Sequence, residues 1–161
     1  MIFVTVGTNE ARFDRLLRAV AEISPEEDLV IQHGHSAAIG PPHSRLVDFL
    51  AFEEMGTQMR AARAVVTHAG VGTIMVSLAN GKRPIVLPRR GSLGEAVDDH
   101  QLQVGRRFGE AGLVTYLESE SDLATALAAD HVGVAALPKS STLASDLGAF
   151  LEDAVAQANG R

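Results

Sequence analysis

The residues best suited to chemistry form the segment His68-Ala69-Gly70-Val71-Gly72-Thr73, which follows a short apolar run at Ala64–Thr67. A strand that leads through such a segment into a helix leaves the first N–H groups of the helix unbonded, and such groups bind anions. Gly70 and Gly72 carry no side chain, so a ligand could approach the backbone closely. The alternative is a tight strand-to-helix turn in which both glycines serve only packing, and the spacing alone leaves both interpretations open.

A second polar segment spans residues 88–101 and combines basic with hydrogen-bonding side chains. Arg89 and Arg90 could clamp a phosphate, because one guanidinium group can donate two parallel hydrogen bonds to two phosphate oxygens. The tripeptide Asp99-His100-Gln101 could hydrogen-bond sugar hydroxyls. The alternative is a solvated loop that caps the next helix, which accounts for Asp98 but not for the histidine and the glutamine.

Other site patterns are absent from the sequence or incomplete. Gly70-x-Gly72 is followed by Met75 where a dinucleotide fingerprint requires glycine, and Lys82 does not follow the P-loop spacing. No GxSxG elbow of a hydrolase is present. The chain has no cysteine, which excludes thiolate metal sites and disulfides. His33 and His35 lie two residues apart, but without a nearby carboxylate they predict no metal site.

Strand and helix patterns alternate along the chain and must position these segments. Apolar runs predict strands at residues 1–6, 29–32, 46–50, 64–67, 84–87 and 113–117. Helical spacing predicts helices at residues 13–23, 53–62, 73–80, 98–111, 121–129 and 141–157, with Gly81 and Gly112 as stops. Strands that are apolar throughout are typical of a parallel sheet covered by helices on both faces. We therefore expect one domain over residues 1–161, an α/β three-layer fold with a Rossmann-like parallel sheet.

In such a sheet, ligands bind beyond the carboxyl ends of the strands, where strand-to-helix loops meet. Gly7 and Thr8 follow the first predicted strand, and Phe52 follows the third. These residues therefore join the two polar segments as candidates for a binding site.

Composition limits the partners of this domain. The chain has 14 Lys and Arg against 20 Asp and Glu, a net charge of −6, which disfavours a general nucleic-acid binder. No apolar run approaches the roughly 20 residues that span a bilayer, and Glu10 interrupts the start, where a signal peptide would lie. The absence of cysteine fits a reducing compartment, so we expect a cytoplasmic protein.

The same segments resemble a known family of glycosyltransferases. Val4-Thr5-Val6-Gly7-Thr8 and Phe13-Asp14-Arg15-Leu16 are similar to the start of the small donor-binding subunits of two-part UDP-sugar transferases. His68–Ile74 and Asp99-His100-Gln101 resemble two further motifs of this family, in order and at fitting spacing. The resemblance is to glycosyltransferase family 28, the C-terminal half of the GT-B architecture. Residues 87–95 are most similar to its bacterial exopolysaccharide branch, often glucuronosyl transferases, and another relative is the subunit that adds the second GlcNAc in asparagine-linked glycosylation.

The resemblance implies a role for each matching position. In the glycine-rich segment His68–Thr73, residues 70–73 would hold the UDP diphosphate at the helix N-terminus. Phe52 would border the uracil. His100 and Gln101 would contact the donor sugar, with Asp99 orienting their loop. Family members commonly carry an acid that holds the ribose, whereas this chain has Val76 and Ser77 there, so the Ser77 hydroxyl would replace it. The implied substrate-binding residues are Gly7, Thr8, Phe52, His68, Gly70, Val71, Gly72, Thr73, Ser77, Arg89, Arg90, Asp99, His100 and Gln101.

The implied reaction is transfer of a glucuronosyl or GlcNAc-like hexosyl group from a UDP-sugar to a lipid-linked acceptor in polysaccharide biosynthesis. A helix N-terminus with Arg89 or Arg90 would stabilise the leaving UDP without a metal or another cofactor. The general base would lie on a separate, membrane-associated, acceptor-binding subunit at the cytoplasmic face of the membrane. Residues 141–157 could dock this partner or pack on their own domain, and without the partner the chain could form a homo-oligomer. The alternative function is a non-catalytic nucleotide-binding or regulatory module of the same fold.

Overall fold

The computed structural model describes residues 1–23 and 26–129. Its strands are β1 (Ile2–Thr5), β2 (Leu29–Gln32), β3 (Arg45–Val47), β4 (Ala64–Thr67), β5 (Ile85–Val86) and β6 (Thr115–Tyr116). Its helices are α1 (Asp14–Ile23), α2 (Phe52–Ala61), α3 (Val71–Ala79), α4 (His100–Glu110) and α5 (Leu123–Ala128), with 3₁₀ turns at Gly91–Leu93 and Glu120–Asp122. The helix predicted at 141–157 lies outside the described residues. Among the described helices, none has the length and apolar character needed to cross a bilayer.

The strands form one parallel sheet in the order β3-β2-β1-β4-β5-β6. β1 is central, because Phe3 pairs with Val30 of β2 and with Val65 of β4. The strand order reverses between β1 and β4, and such a reversal creates a crevice at the carboxyl edge of the sheet. The glycine-rich segment after β4 opens on this crevice.

Helices cover both faces of the sheet, so the strands are buried on both sides. On one face, Val4 packs in a cluster with Leu16 of α1 and Leu123 of α5. On the other face, Phe3 packs with Met59 of α2, and α3 and α4 meet in a further cluster. This two-sided burial explains why the strands are apolar throughout. The α/β, Rossmann-like fold expected from the sequence is confirmed.

Several element boundaries differ from the predictions by a few residues. β3 ends at Val47 rather than at residue 50, because the chain then turns outward through exposed residues toward α2. α3 begins at Val71, two residues earlier than predicted, which brings Gly72 into its first turn. Gly81 and Gly112 take φ values of 73° and 71°, the left-handed conformation that ends helices, as the sequence predicted.

Candidate functional site

Buried polar side chains end the central strands, directly beneath the crevice. Thr5 ends β1, Gln32 ends β2 and Thr67 ends β4, and none of the three is more than 3% exposed. The Thr5 hydroxyl donates to Oε1 of Gln32 and accepts the N–H of Gly7 at 3.2 Å. Nε2 of Gln32 donates to the Gly7 carbonyl at 3.2 Å. This network holds the turn at Gly7, whose φ of 76° favours glycine.

The N-terminus of α3 opens on the crevice without a capping side chain. Gly70 is its N-cap residue and has no side chain that could cap the first turn. The Gly70 carbonyl accepts the N–H of Ile74 at 3.0 Å, which is the first bond of the helix. The N–H groups of Val71, Gly72 and Thr73 precede this bond and have no acceptor within the helix. Together with the positive end of the helix dipole, they form an arrangement that binds anions.

Gly72 leaves open space beside these N–H groups. A Cβ on this residue would meet no other heavy atom within 4 Å, and the residue is exposed. An anion can therefore reach the helix start without displacing protein atoms. Val71 and Thr73, the neighbours of Gly72 in the chain, are half-buried, and Val71 packs against the cluster of α3 and α4.

The imidazole of His68 lies between Gly7 and Gly70. A Cβ on Gly7 would lie 2.5 Å from Cε1 of the ring, and a Cβ on Gly70 would collide with Nε2. Burial, and then the charge of Arg89, lower the pKa of His68 to about 3, although the Thr5 carbonyl accepts a hydrogen bond from the ring. The ring is therefore neutral near pH 7, with one donor and one acceptor nitrogen. Its Nδ1 lies 3.2 Å from the Thr67 hydroxyl.

Gln101 connects the loop after β4 to the loop after β5. Its Oε1 accepts the N–H of Ala69 and the N–H of Arg89, each at 3.2 Å. Both partners are donors, so the hydrogen bonds fix which end of the amide is oxygen. Among the described residues none accepts the two N–H groups of Nε2, so these remain available to a ligand.

Two adjacent aspartates organise the turn into α4. Oδ1 of Asp98 accepts the N–H of His100 at 3.0 Å, but the N-cap residue of α4 is Asp99 rather than Asp98, and the helix begins two residues later than predicted. Oδ1 of Asp99 accepts the N–H of Gly91 at 2.8 Å and closes the loop upon itself. His100 is the first residue of α4 and is half-buried, next to Gln101.

Arg89 does not have the phosphate contact expected for it. Its side chain is 0% exposed. Nη1 donates to the carbonyls of Ala11 at 2.7 Å and Glu95 at 3.0 Å, and Nη2 donates to the carbonyl of Val6 at 2.9 Å. The guanidinium carbon lies 4.8 Å from the ring centroid of Phe13. The expectation of a phosphate clamp is wrong for this residue, because its guanidinium is buried and its Nη groups donate to backbone carbonyls. Nε of Arg89 is also buried and has no hydrogen-bond partner among the described residues.

Arg90 is the more accessible of the two arginines, with a half-buried side chain. Nη2 donates to the Glu118 carbonyl at 2.5 Å, and the backbone N–H donates to Oε2 of Glu95 at 3.0 Å. Its Nε is buried and has no hydrogen-bond partner among the described residues. Of the expected pair, only Arg90 therefore remains as a cation for a ligand.

A groove of about 710 Å³ lies between α2 and α3. Phe52, which is 70% exposed, begins α2 at the carboxyl edge of the sheet. The groove combines apolar with polar walls, as a nucleobase and its ribose would require. Its lining residues are Phe52, Glu53, Gly56, Thr57, Arg60, Met75, Val76, Ala79 and Asn80.

Ser77 does not reach this groove. It is 0% exposed, and its hydroxyl donates to the Lys82 carbonyl at 3.1 Å. Consecutive residues of a helix point about 100° apart, so Val76 lines the groove while Ser77 points inward. The expected hydrogen bond from Ser77 to a ribose is therefore wrong. Glu53 of α2 brings a carboxylate to this groove.

Two further features that the sequence did not single out support the loops. The carboxylate of Glu95 is buried and accepts Nε and Nη2 of Arg15, each at 2.8 Å. The other feature is the hydrogen-bond network that Thr5 and Gln32 form at the turn of Gly7. The signal in the sequence that could have revealed it is a polar residue at the end of each apolar strand. Thr8 follows β1 at the carboxyl edge of the sheet and is exposed. In residues 1–23 and 26–129, no group of three or more His, Asp or Glu side chains could hold a metal ion. Nε2 of His33 lies 3.4 Å from Oδ1 of Asp48.

Comparisons with known proteins bear on the fold and the family of the chain. None of the curated proteins is similar enough to the chain to count as a match. Three solved glycosyltransferases have a similar fold. CalG4, the calicheamicin glycosyltransferase, is 17% identical with a TM-score of 0.60, and the match covers 81% of this chain and 34% of CalG4. The glycosyltransferase of kitacinnamycin is 20% identical with a TM-score of 0.58, and the match covers 80% of this chain and 35% of that one. SnogD from Streptomyces nogalater is 22% identical with a TM-score of 0.53, and the match covers 74% of this chain and 31% of SnogD.

The present chain thus spans about a third of the length of these solved proteins. At these identities the likeness shows the fold. The family follows from the sequence itself, because residues 1–141 match the profile of the glycosyltransferase family 28 C-terminal domain. The chain belongs to the glycosyltransferase family 28 C-terminal domain family.

Proposed function

We propose that the chain is the donor-binding domain of a glycosyltransferase and binds a UDP-sugar, with the diphosphate at the N-terminus of α3. The observation that carries this proposal is the uncapped first turn, where Val71, Gly72 and Thr73 present N–H groups to open space. These groups lie at the point where the strand order reverses, the usual ligand site of such sheets. Membership in family 28 supports a role in sugar transfer.

The neighbouring surfaces fit the remaining parts of this donor. The groove that begins at Phe52 can take the uracil and the ribose. On the other side of α3, Nε2 of Gln101 can donate to hydroxyls of the sugar, with His100 beside it. Gly7 and Thr8 then border the sugar and the diphosphate from the loop after β1.

In the proposed reaction, the main task of this domain is to stabilise the negative charge on the leaving UDP rather than to supply a nucleophile or a general base. The acceptor hydroxyl oxygen attacks the anomeric carbon, and the bond between that carbon and the β-phosphate oxygen breaks. The bonding electrons leave with UDP, whose growing negative charge is met by the first turn of α3 and by Arg90. The hydroxyl proton passes to a general base on a second protein. No metal or other cofactor is required in this scheme.

We propose further that a separate subunit supplies the acceptor half, as in the two-part transferases that the motifs resemble. This partner would be membrane-associated and would hold the chain at the cytoplasmic face. The acceptor would be lipid-linked, and the transferred group would be glucuronosyl or GlcNAc-like. Without its partner the chain could form a homo-oligomer.

A second candidate function is a nucleotide-binding regulatory module without transfer activity. Val76 favours it, because this side chain lines the groove at a position where relatives commonly carry the acid that holds the ribose. Weaker binding of the nucleoside part would suit a sensor of UDP-sugars as well as an enzyme.

Co-expression of the chain with the product of its neighbouring gene distinguishes the two functions. Transfer of sugar from radiolabelled UDP-glucuronic acid or UDP-GlcNAc to a membrane lipid fraction, lost in Gly72→Phe, supports the enzyme. A complex that forms and binds UDP but transfers no sugar from any UDP-sugar favours the regulatory module.

A further inference from the structure

We propose that Arg89 is a positioning residue of the donor site. Its buried guanidinium holds the loop after β1 against the loop after β5 and thereby sets the geometry of the crevice above α3. This inference rests on the proposed function for the identity of the ligand, but its structural part can be tested without any ligand.

The contacts of Arg89 reach both loops from one buried point. Nη2 donates to the carbonyl of Val6, directly before Gly7, at 2.9 Å. Nη1 donates to the carbonyl of Ala11, at the far end of the same loop, at 2.7 Å. It also donates to the carbonyl of Glu95, in the loop after β5, at 3.0 Å. A single planar group thus fixes both ends of the first loop relative to the second.

The backbone of Arg89 extends this connection to the glycine-rich segment. Its N–H donates to Oε1 of Gln101 at 3.2 Å, and the same oxygen accepts the N–H of Ala69 at 3.2 Å. A displacement of Arg89 would therefore move Gln101, which the proposed function places on the donor sugar. It would also move the segment that precedes Gly70, the N-cap of α3.

Only arginine has the geometry for this position. Its guanidinium is flat and presents several N–H groups at fixed angles, whereas lysine has a single nitrogen. One face of the guanidinium packs on the ring of Phe13, with 4.8 Å from the guanidinium carbon to the ring centroid. The guanidinium of Arg15 lies 5.3 Å from the same centroid. Phe13 therefore anchors both cations at the start of α1.

The buried charge of Arg89 has a counter-charge nearby. Burial lowers the pKa of Arg89 from its usual value, and the charge of Glu95 opposes that shift. Glu95 itself is 6% exposed and is held by Nε and Nη2 of Arg15, each at 2.8 Å. A buried cation with this many specific contacts is costly to place for packing alone, and its contacts all lead to loops around the crevice.

The test is chemical rescue of Arg89→Ala, which leaves a cavity lined by backbone carbonyls and an aromatic ring. We expect the dissociation constant for UDP to rise about tenfold, because the loops that border the proposed diphosphate site shift. Guanidinium at about 20 mM, far below its molar denaturing range, should restore the affinity. Methylammonium at the same concentration should not. Arg89→Lys should remain weak, and Arg18→Ala on the exposed face of α1 should bind UDP as the wild type does.

Amide hydrogen exchange gives the readout that needs no ligand. In Arg89→Ala, the amides of residues 7–12 and 91–97 should exchange faster, and guanidinium should slow them again. If the wild type does not bind UDP, the proposed function fails while this measurement still decides the role of Arg89. The inference is overturned if Arg89→Lys, which retains the bulk and charge needed to fold, shows wild-type UDP affinity. It is also overturned if guanidinium and methylammonium act alike on Arg89→Ala.

Discussion

The imidazole of His68 packs directly against the α-carbon of Gly7, so that a Cβ on Gly7 would lie 2.5 Å from Cε1 of the ring. This contact joins the ends of β1 and β4, the two strands between which the sheet order reverses. The crevice therefore has a floor made of one neutral ring and one bare backbone segment. Its shape depends on the absence of a side chain at Gly7.

Substitution of Gly7 by alanine should destabilise the protein more than the same substitution at Gly81. Both glycines have positive φ, at 76° and 73°, but a Cβ on Gly81 would meet nothing within 4 Å. Gly81→Ala should cost about 1 kcal/mol for the backbone conformation alone. Gly7→Ala should cost about 1–3 kcal/mol more, because His68 must move. Urea unfolding measures both values, and equal losses would show that the contact with His68 carries no constraint.

The protein should become less stable as the pH is lowered, because His68 is protonated in the unfolded chain but not in the folded one. The folded pKa of His68 is about 3, against 6.5 in its ordinary state. Stability from this group is therefore present above pH 6.5 and lost as pH falls toward 3, because the unfolded chain takes up a proton that the folded chain refuses. The loss approaches about 1.4 kcal/mol per pH unit within this window.

The control for this pH dependence is His68→Asn, which cannot take up the proton. Urea unfolding between about pH 7 and pH 5 should show a steeper loss in the wild type than in the variant. Carboxylates with lowered pKa values, such as Asp14 and Glu120, act at lower pH and in both proteins alike. The same pH dependence in both proteins would contradict a neutral, buried His68.

A carboxylate at position 76 should improve recognition of the ribose. Val76 lines the groove between α2 and α3, so Val76→Glu places an acceptor beside the proposed ribose site. We expect UDP to bind about three- to tenfold more tightly, with no such gain for 2′-deoxy-UDP. Ser77→Glu is the matched control, and it should destabilise the fold instead, because Ser77 is fully buried. If Val76→Glu changes the affinity for UDP and for 2′-deoxy-UDP by the same factor, the ribose does not bind in this groove.

Two substitutions of Gln101 separate its structural role from its role in binding. Gln101→Glu keeps an oxygen for the N–H groups of Ala69 and Arg89, whereas Gln101→Leu leaves both without an acceptor. Gln101→Leu should therefore lose about 1–3 kcal/mol of stability relative to Gln101→Glu, as measured by urea unfolding. Both variants lack the amide donors, so both should bind a UDP-sugar less well relative to UDP. Equal stability of the two variants would contradict the bridging role.

The layout of the sheet could be predicted from the sequence because burial on two faces leaves a simple pattern. Runs such as Leu29–Gln32 are apolar at almost every position, which a one-sided strand would not be. The position of the site followed in turn, since parallel strands place their loops at one edge. The start of α3 at Val71 was missed by two residues, because valine and glycine are weak helix formers and only the fold places them in a first turn.

The directions of individual side chains could not be predicted in the same way. Arg89 and Arg90 are neighbours of the same type, yet one is fully buried while the other is half-buried. Arg89 turns inward to bond carbonyls that include those of Val6 and Ala11, and these residues are distant from it in sequence. The prediction for Ser77 was wrong for a related reason. Adjacent residues of a helix point in different directions, so Val76 lines the groove while Ser77 is buried in the interior.

Calorimetric titration with UDP, in the presence of a chelator, tests the central claim most directly. The wild type should bind UDP without a divalent metal and should not bind NAD. Gly72→Phe should fold normally, because its side chain enters open space, but should no longer bind UDP. The control Glu22→Phe, exposed in the last turn of α1, should bind UDP as the wild type does. Unchanged UDP affinity in Gly72→Phe, or binding of NAD in place of UDP, would contradict the account.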